Sequence, residues 1–564
     1  MWRTYQLLVV ATHILREKPL KDTVSVEVVV VGAGISGALM AYRLAKSGIQ
    51  VLLLEAGQSI DRAQAVNTFQ NAVIKVPESA YIQTEQAMFP RTDQPNQWYV
   101  QAGPDAFKST YLKVLGGTTW HWLGTAIRLI PSDFKTQTLF GRGVDWPITY
   151  SDLEPYYTQA EYELGVSGQS AQDQGSARSQ SYPMPAVGQS YCDQKFVNAL
   201  TNTRYHVTAT PQARNTVVRD GRPPCCGSGS CIPVCPIQAK YDATVHINKA
   251  VAAGATLLTK ATAVQLIVDN NQNIEAVRFK RWDNTQGLIK AKQVILACHA
   301  IETPRLLLAS RSTQQPNGVA NRSDQVGRNL MDHPAQLSWA LSHEPVYPYR
   351  GPLSTSGIEN VRDGMFRKDR AAFRIEIGND GWGWPTGGPI STAQDFALSG
   401  LSGDALDQAI ADQTSRHIRL ASLMEQLPDP ENRVSLDPAA LDMYGIPRPK
   451  LHYRVDEYVQ KGLQAAQLTH SEIFNHLQAT KVQHKRAFQG AGHIMGTARM
   501  GNDEKTSVVD HNLVSHDHKN LMIIGSSVFP TGGTANPTLT IAALSLRASD
   551  FLIQKLKKRN ALGA

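Results

Sequence analysis

Val28-Val-Val-Val-Gly32-Ala-Gly34-Ile-Ser-Gly37 opens a unit that closes with Val51-Leu-Leu-Leu-Glu55. The β-branched run Val28 to Val31 predicts a strand buried on both faces. Ile35, Leu39 and Tyr42 recur at helical spacing, Gly48 ends that helix, and Val51 to Leu54 form a second buried strand. Gly32 permits the tight turn, Gly34 lets the backbone approach a pyrophosphate, and Gly37 lets helix and strand pack closely. The helix N-terminus offers amide hydrogens to phosphate. Glu55, ending the second strand, is placed for the ribose hydroxyls. The glycine spacing alone says little, but strand, helix, strand and terminal acid together predict a dinucleotide site. Its position near the N-terminus favours FAD over NAD.

A second stretch carries different chemistry. Cys225, Cys226, Cys231 and Cys235 fall within eleven residues, with Gly and Ser between them and Pro236 behind. A Cys-x4-Cys-x3-Cys-Pro run suits an iron–sulfur cluster, which takes several thiolates from one loop. The two-residue spacing usual for zinc is absent. One or two disulfides are the alternative, although vicinal cysteines rarely pair with each other. Cys192 and Cys298 are isolated. Cys298 follows the apolar run Val294 to Ala297 and reads as a buried, inert thiol; Cys192 is free or paired with Cys225.

Of the 564 residues, 42% are hydrophobic and 18% charged, which supports a sizeable core and excludes disorder. The net charge of +8 is scattered, with no basic block interleaved with aromatics, so nucleic acid is not an expected partner. Met1 to Ala11 resemble a feeble signal peptide, but the apolar stretch is short, His13 and Arg16 interrupt it, and no small-residue cleavage site follows. No apolar stretch reaches transmembrane length, so no direct membrane span is expected.

Further along, residues 58–110 and 166–190 read as irregular, the latter as an exposed loop. Strand-like segments fall at 255–268, 274–280, 294–297 and 521–524, and a helix starts at Pro304. Residues 340–490 differ in character, with Gly, Trp and Pro clustered at 378–389 and polar helices at 402–415 and 456–479. A last helix carries Ile541, Leu544, Ala548, Phe551 and Leu552 on one face. His493, in His493-Ile-Met-Gly496-Thr497, and Asn536-Pro537 have a bland reading: a structural histidine, and a helix cap with Pro in the first turn.

Taken in order, Gly32 to Gly37 with Glu55, Gly116-Gly117, Trp146-Pro147, Val326-Gly-Arg-Asn-Leu-Met-Asp-His-Pro334, His493-x-x-Gly496-Thr497 and Asn536-Pro537 are similar to the glucose–methanol–choline (GMC) oxidoreductase family. The cysteine loop and Gly116-Gly-Thr-Thr-Trp-His-Trp122 narrow the resemblance to the catalytic subunits of bacterial membrane-linked sugar dehydrogenases. These subunits carry a three-iron (3Fe-4S) cluster beside FAD.

The resemblance implies an α/β fold. A Rossmann-like FAD-binding domain would span 24–335 and 492–560, with the iron–sulfur loop at 222–241. A substrate-binding domain built on an antiparallel sheet would span 336–491. His493 would take the proton of a sugar or polyol hydroxyl and Asn536 would hydrogen-bond the same oxygen. Besides the fingerprint residues, Gly116, Gly117, His121, Thr534, Pro537 and Thr538 would contact FAD. In some relatives a histidine at the place of His121 binds FAD covalently; otherwise His121 stacks between Trp120 and Trp122. Residues 118–122 depart from the wider family, which commonly has an asparagine near the flavin. Cys226, Cys231 and Cys235 would hold the cluster, with Cys225 the fourth candidate. Trp382, Trp384 and Glu425 are candidate sugar contacts. The implied partners are a small export-signal-bearing subunit and a multihaem cytochrome, at the periplasmic face of the inner membrane; without them the chain stays cytoplasmic. The alternative is an oxygen-dependent oxidase with no cluster.

Overall fold

The computed structural model describes residues 23–562 apart from 74–75, 88–97, 173 and 381–388. Trp382 and Trp384 therefore lie outside the described residues. Strands are numbered in chain order.

The first sheet is built on β1 (Thr23–Val31), whose last four residues are all buried. It pairs in parallel with β2 (Val51–Leu54), and β2 pairs in parallel with β5 (Thr256–Leu258). On its other side it pairs in parallel with β8 (Gln286–Leu296). β8 is long enough to serve two partners on its far edge. Its early residues pair antiparallel with β7 (Ile274–Arg281), which pairs with β6 (Ala261–Val268), and its last three pair in parallel with β16 (Leu521–Ile523). The single segment expected at 255–268 is thus two strands. Lys260, at φ 53°, makes the turn between them, because β5 must join the parallel sheet while β6 runs back along β7.

The helix Ile35–Lys46 follows β1 directly, and the long helix Thr538–Leu562 packs against it and against the helix Tyr150–Leu164. Two glycines make the first turn possible. Gly32 sits at φ 100°, and a Cβ there would stand 2.5 Å from the Ala297 carbonyl oxygen. At Gly37 a Cβ would stand 1.9 Å from the Gly32 carbonyl oxygen.

The second sheet is antiparallel throughout, in the order β15 (Thr480–His484), β9 (Ala335–Leu341), β12 (His417–Met424), β11 (Phe373–Gly378), β10 (Ser356–Ile358) and β4 (Val207–Ala209). β4, far earlier in the chain than its neighbours, completes the edge. The helix Glu457–His476 covers this sheet, and both contribute to a second apolar core. A small third sheet joins β3 (Val100–Gln101), β14 (Pro447–His452) and β13 (Arg433–Leu441).

Two further expectations are corrected. The helix expected to start at Pro304 runs from His299 to Ala309 with Pro304 inside it. Proline has no N–H for the Ala300 carbonyl; the Thr497 hydroxyl donates to that carbonyl instead, at 2.6 Å. The 166–190 segment is irregular and exposed over much of its length, including 169–171 and 179–181, but it is anchored at several points. Ser167 and Gln174 are buried, with Ser167 bonded to the Gln212 backbone and Gln174 to the Ala209 carbonyl. Among the described residues no helix is long and apolar enough to cross a membrane.

A methyl group at residue 37 would meet backbone that cannot retreat without moving the sheet. Gly37→Ala is expected to destabilise the protein by about 3 kcal/mol, read as a lower midpoint in urea unfolding; an unchanged midpoint contradicts this packing.

Candidate active site

A cavity of about 940 Å³ runs from the C-terminal ends of β1 and β2 to the inner face of the second sheet. In open α/β sheets ligands bind at that end of the strands. At one end lie Gly32, Gly34 and Glu55. The Glu55 carboxylate accepts from the amides of Ala33 and Gly57, each at 2.8 Å, and keeps lone pairs for a further donor. Burial raises its pKa, although those two amides pull the other way. At Gly34 nothing stands within 4 Å of where a Cβ would be. The helix that starts beside it has neither a side-chain cap nor an acid in its first turn, so its amides are left for an anion. This cradle fits the diphosphate and ribose of a dinucleotide such as FAD.

Gly117 and His121 also line the cavity. Gly117 passes so close to Gly34 that a Cβ on it would be 3.3 Å from the Gly34 Cα, and the Gly116 amide donates to the Ala33 carbonyl at 3.2 Å. His121 does not stack between its neighbours. The Trp120 ring lies beneath the Arg62 guanidinium and the Trp122 indole donates to the Tyr241 carbonyl. Burial, with Lys240 nearby, lowers the His121 pKa to about 4, so its ring is neutral. Pro537 and Thr538 line the cavity at the start of the last helix. Thr534 does not: its hydroxyl donates to Asp133 and accepts from Arg362.

Where the two sheets face each other, the cavity is lined by His493 and Asn536, with Nε2 of the imidazole 3.3 Å from Nδ2 of the amide. The positions of the protons follow from a chain of contacts. Nε2 of His333 lies 3.1 Å from the Gly532 carbonyl oxygen, which can only accept, so that nitrogen carries a proton. Nδ1 of neutral His333 is then an acceptor, and Nδ1 of His493, 2.8 Å away, must donate to it. This leaves Nε2 of His493 as a lone pair. The Arg374 guanidinium donates to Oδ1 of Asn536 at 3.4 Å, which turns the amide N–H toward that lone pair. Burial, then the neighbouring His333, then Arg374, hold the His493 pKa well below 6.5. A lone pair beside an amide donor can take the proton of a hydroxyl and hold its oxygen.

Asp332 sets the position of His493. It accepts from the His493 amide at 2.8 Å and from the Ala491 amide at 3.2 Å, and the Ser109 hydroxyl also donates to it. The wall opposite comes from the second sheet. Glu376, Asp380 and Arg419 line it, with the Arg419 guanidinium 2.9 Å from Asp380. Glu425 is not part of it: fully buried, it is clasped by Arg367 at 2.5 Å and by the Tyr458 hydroxyl. Reading the sequence missed His333, although it stands in the quoted Val326–Pro334 stretch, and missed Arg374. The alternation Arg374-Ile-Glu376 was the available sign that two charges share one face of a strand.

The four clustered cysteines line a second, small cavity together with Arg214, Ser228 and Ala239. Gly229, Ile232 and Pro233 of the same loop line the large cavity, so this loop is the partition between the two. All six cysteines are free thiols, and Cys192 is packed in the second apolar core rather than paired with Cys225. Cys298 is half-buried at the edge of the large cavity, and burial pushes its thiol pKa up. Among the described residues no three His, Cys, Asp or Glu side chains converge as ligands of a single metal ion would.

Family models described as GMC oxidoreductase match residues 29–335 and 428–545. The chain belongs to the GMC oxidoreductase family: it is an FAD-dependent oxidoreductase acting on CH–OH groups. It is 37% identical over 551 residues to the fructose dehydrogenase large subunit of Gluconobacter japonicus, covering 95% of this chain and 99% of that one. It is 24% identical over 583 residues to the gluconate 2-dehydrogenase flavoprotein of Pantoea cypripedii, covering 92% of each. Its fold is similar to that of pyridoxine 4-oxidase from Mesorbium loti, with a TM-score of 0.60 at 18% identity over 93% of this chain and 98% of that one.

Removing the imidazole that fixes the proton on His493 leaves the His493 ring free to turn. His333→Ala is expected to lower kcat about 10- to 100-fold, a smaller loss than the roughly 10²- to 10⁴-fold attributable to a general base; equal turnover in the variant and the parent contradicts the tautomer assignment.

Proposed function

We propose that the chain is the flavin-bearing subunit of a dehydrogenase that oxidises a hydroxyl of a sugar, glycoside or polyol and relays the electrons through a 3Fe-4S cluster to a cytochrome. The observation that carries the reading is the unprotonated Nε2 of His493 beside the Asn536 amide, in one cavity with the dinucleotide cradle. The likeness to a fructose dehydrogenase large subunit over nearly the whole of both chains supports the substrate class.

FAD bound in the cradle supplies the hydride acceptor. His493 takes the hydroxyl proton at Nε2, and Asn536 donates from Nδ2 to the same oxygen. Glu376, Asp380 and Arg419 hydrogen-bond the remaining hydroxyls of the substrate. The helix that opens at Thr538 turns its N-terminal end to the cavity, where it favours negative charge. His121 contacts the flavin; flavin that stays with the denatured protein would mark a covalent bond through it. Gly32, Gly34, Gly37, Glu55, Gly116 and Gly117 form the remainder of the cofactor site, with Pro537 and Thr538. In this reading 24–335 and 492–560 make the FAD-binding domain and 336–491 the substrate domain.

Cys226, Cys231 and Cys235, with Cys225 beside them, are the residues that would hold the cluster. Ligands of a cluster bind different irons and stand further apart than those of a single ion, so one shared cavity lined by four thiols suits it. A partner bearing an export signal and a multihaem cytochrome, at the periplasmic face of the inner membrane, complete the proposal. The relative's description as a large subunit supports the existence of partners.

Anaerobically purified protein is expected to contain iron and acid-labile sulfide, and its flavin to bleach with a sugar or polyol from a panel. Flavin without iron or sulfide would replace this reading by the cluster-free oxidase. His493→Ala should keep its flavin and lose the bleaching. Because the His493 pKa is lowered, its basic form persists through pH 6.5, and kcat/KM should fall only in more acid solution. An acid limb above pH 6.5 rules against His493 as the base.

A further inference from the structure

Arg214 and Lys240 are each 2% exposed; Arg214 lines the cysteine cavity and Lys240 contacts Cys231 and Cys235 of its loop. Among the described residues neither has a carboxylate within ion-pair distance. Asp242, near Lys240 in the chain, is taken by Arg62 at 2.6 Å. The Arg214 guanidinium directs Nη1 at Sγ of Cys225, 3.8 Å away, and Nη2 at the Leu123 carbonyl, while its Nε has no partner. Nζ of Lys240 meets three carbonyl oxygens, those of Trp122 at 2.5 Å, Trp120 at 2.8 Å and Cys231 at 2.9 Å. Three acceptors need three N–H donors, and only the ammonium form has three. Its backbone amide points at Sγ of Cys235, 3.4 Å away.

Two buried cations with no anion are strongly unfavourable. Four neutral thiols leave them so, and disulfides would as well. Thiolates around an iron–sulfur cluster do not, because that assembly carries net negative charge.

We infer that Arg214 and Lys240 are the built-in counter-charges of the cluster, and that they raise its reduction potential so that it accepts electrons arriving from the substrate. The inference rests on the cluster reading above. Each reduction adds one electron to the cluster, delivered singly from the pair that leaves the substrate. Placing that negative charge beside two fixed positive ones makes the reduced form easier to reach. Lys240 has a second part. By holding the Cys231 carbonyl and the Trp120 and Trp122 carbonyls at one ammonium, it ties the cysteine loop to the turn that carries His121.

The test uses the full-length protein, prepared anaerobically, with the cluster potential measured by redox titration followed by electron paramagnetic resonance. Arg214→Gln and Lys240→Met are each expected to lower it, by about 59 mV or more for a tenfold change in the one-electron equilibrium, while Arg214→Lys stays near the parent. Parent protein with no iron overturns the cluster reading and this inference with it. Parent protein with iron, and variants whose potential is unchanged, overturns this inference alone. Should Arg214→Gln purify with flavin but without iron, Arg214→Lys decides: iron retained with the charge supports the inference, and iron lost with it counts against it.

Discussion

A backbone carbonyl has no proton to give, and the protonation pattern of the paired imidazoles in the cavity follows from that. The Gly532 oxygen sits against one nitrogen of His333 and so determines which nitrogen of the next ring is protonated and which is bare. The order could not be reversed by a small rotation, because the Gly532 segment is itself bonded to the Gln426 carbonyl through its amide. The lone pair on Nε2 of His493 is therefore in place without any ligand, and the low proton affinity of this imidazole follows from burial, a second imidazole and a guanidinium. The same guanidinium is restrained by two acids, Glu359 at 2.9 Å and Glu376 at 3.4 Å, so its charge is present but not loose.

Much of this was legible in the sequence where the determinants are local. The run from Val28 to Glu55 encodes strand, turn, helix and strand within its own length, and the structure has each of them there. The polar helices and the closing helix were legible for the same reason. The second sheet was legible as a separate region but not as a pairing scheme: Val207–Ala209 completes its edge by pairing with Ser356–Ile358, and nothing in either triplet names the other. The role of His333 was hidden because it depends on a carbonyl far along the chain. Glu425 misled because a lone acid in a sequence does not reveal whether an arginine will be buried against it.

The distribution of charge is uneven. Arg367 and Arg374 each sit fully buried among acids, as ordinary structural ion pairs do. Arg214 and Lys240 do not, and they occur where the sequence places its thiols. A scattered net charge of +8 gave no hint of this, since the position of a cation relative to its neighbours matters more than the total.

Thr497 supplies the hydrogen that Pro304 cannot, and so moors the segment carrying His493 to the helix that follows β8. Asp332 and Ser109 moor it again. The His493 imidazole is thus anchored to one half of the molecule while Glu376, Asp380 and Arg419 belong to the other. The two halves are nevertheless linked, because Glu376 grips the Arg374 guanidinium that reaches Asn536, so a change at Glu376 would be felt at the imidazole as well.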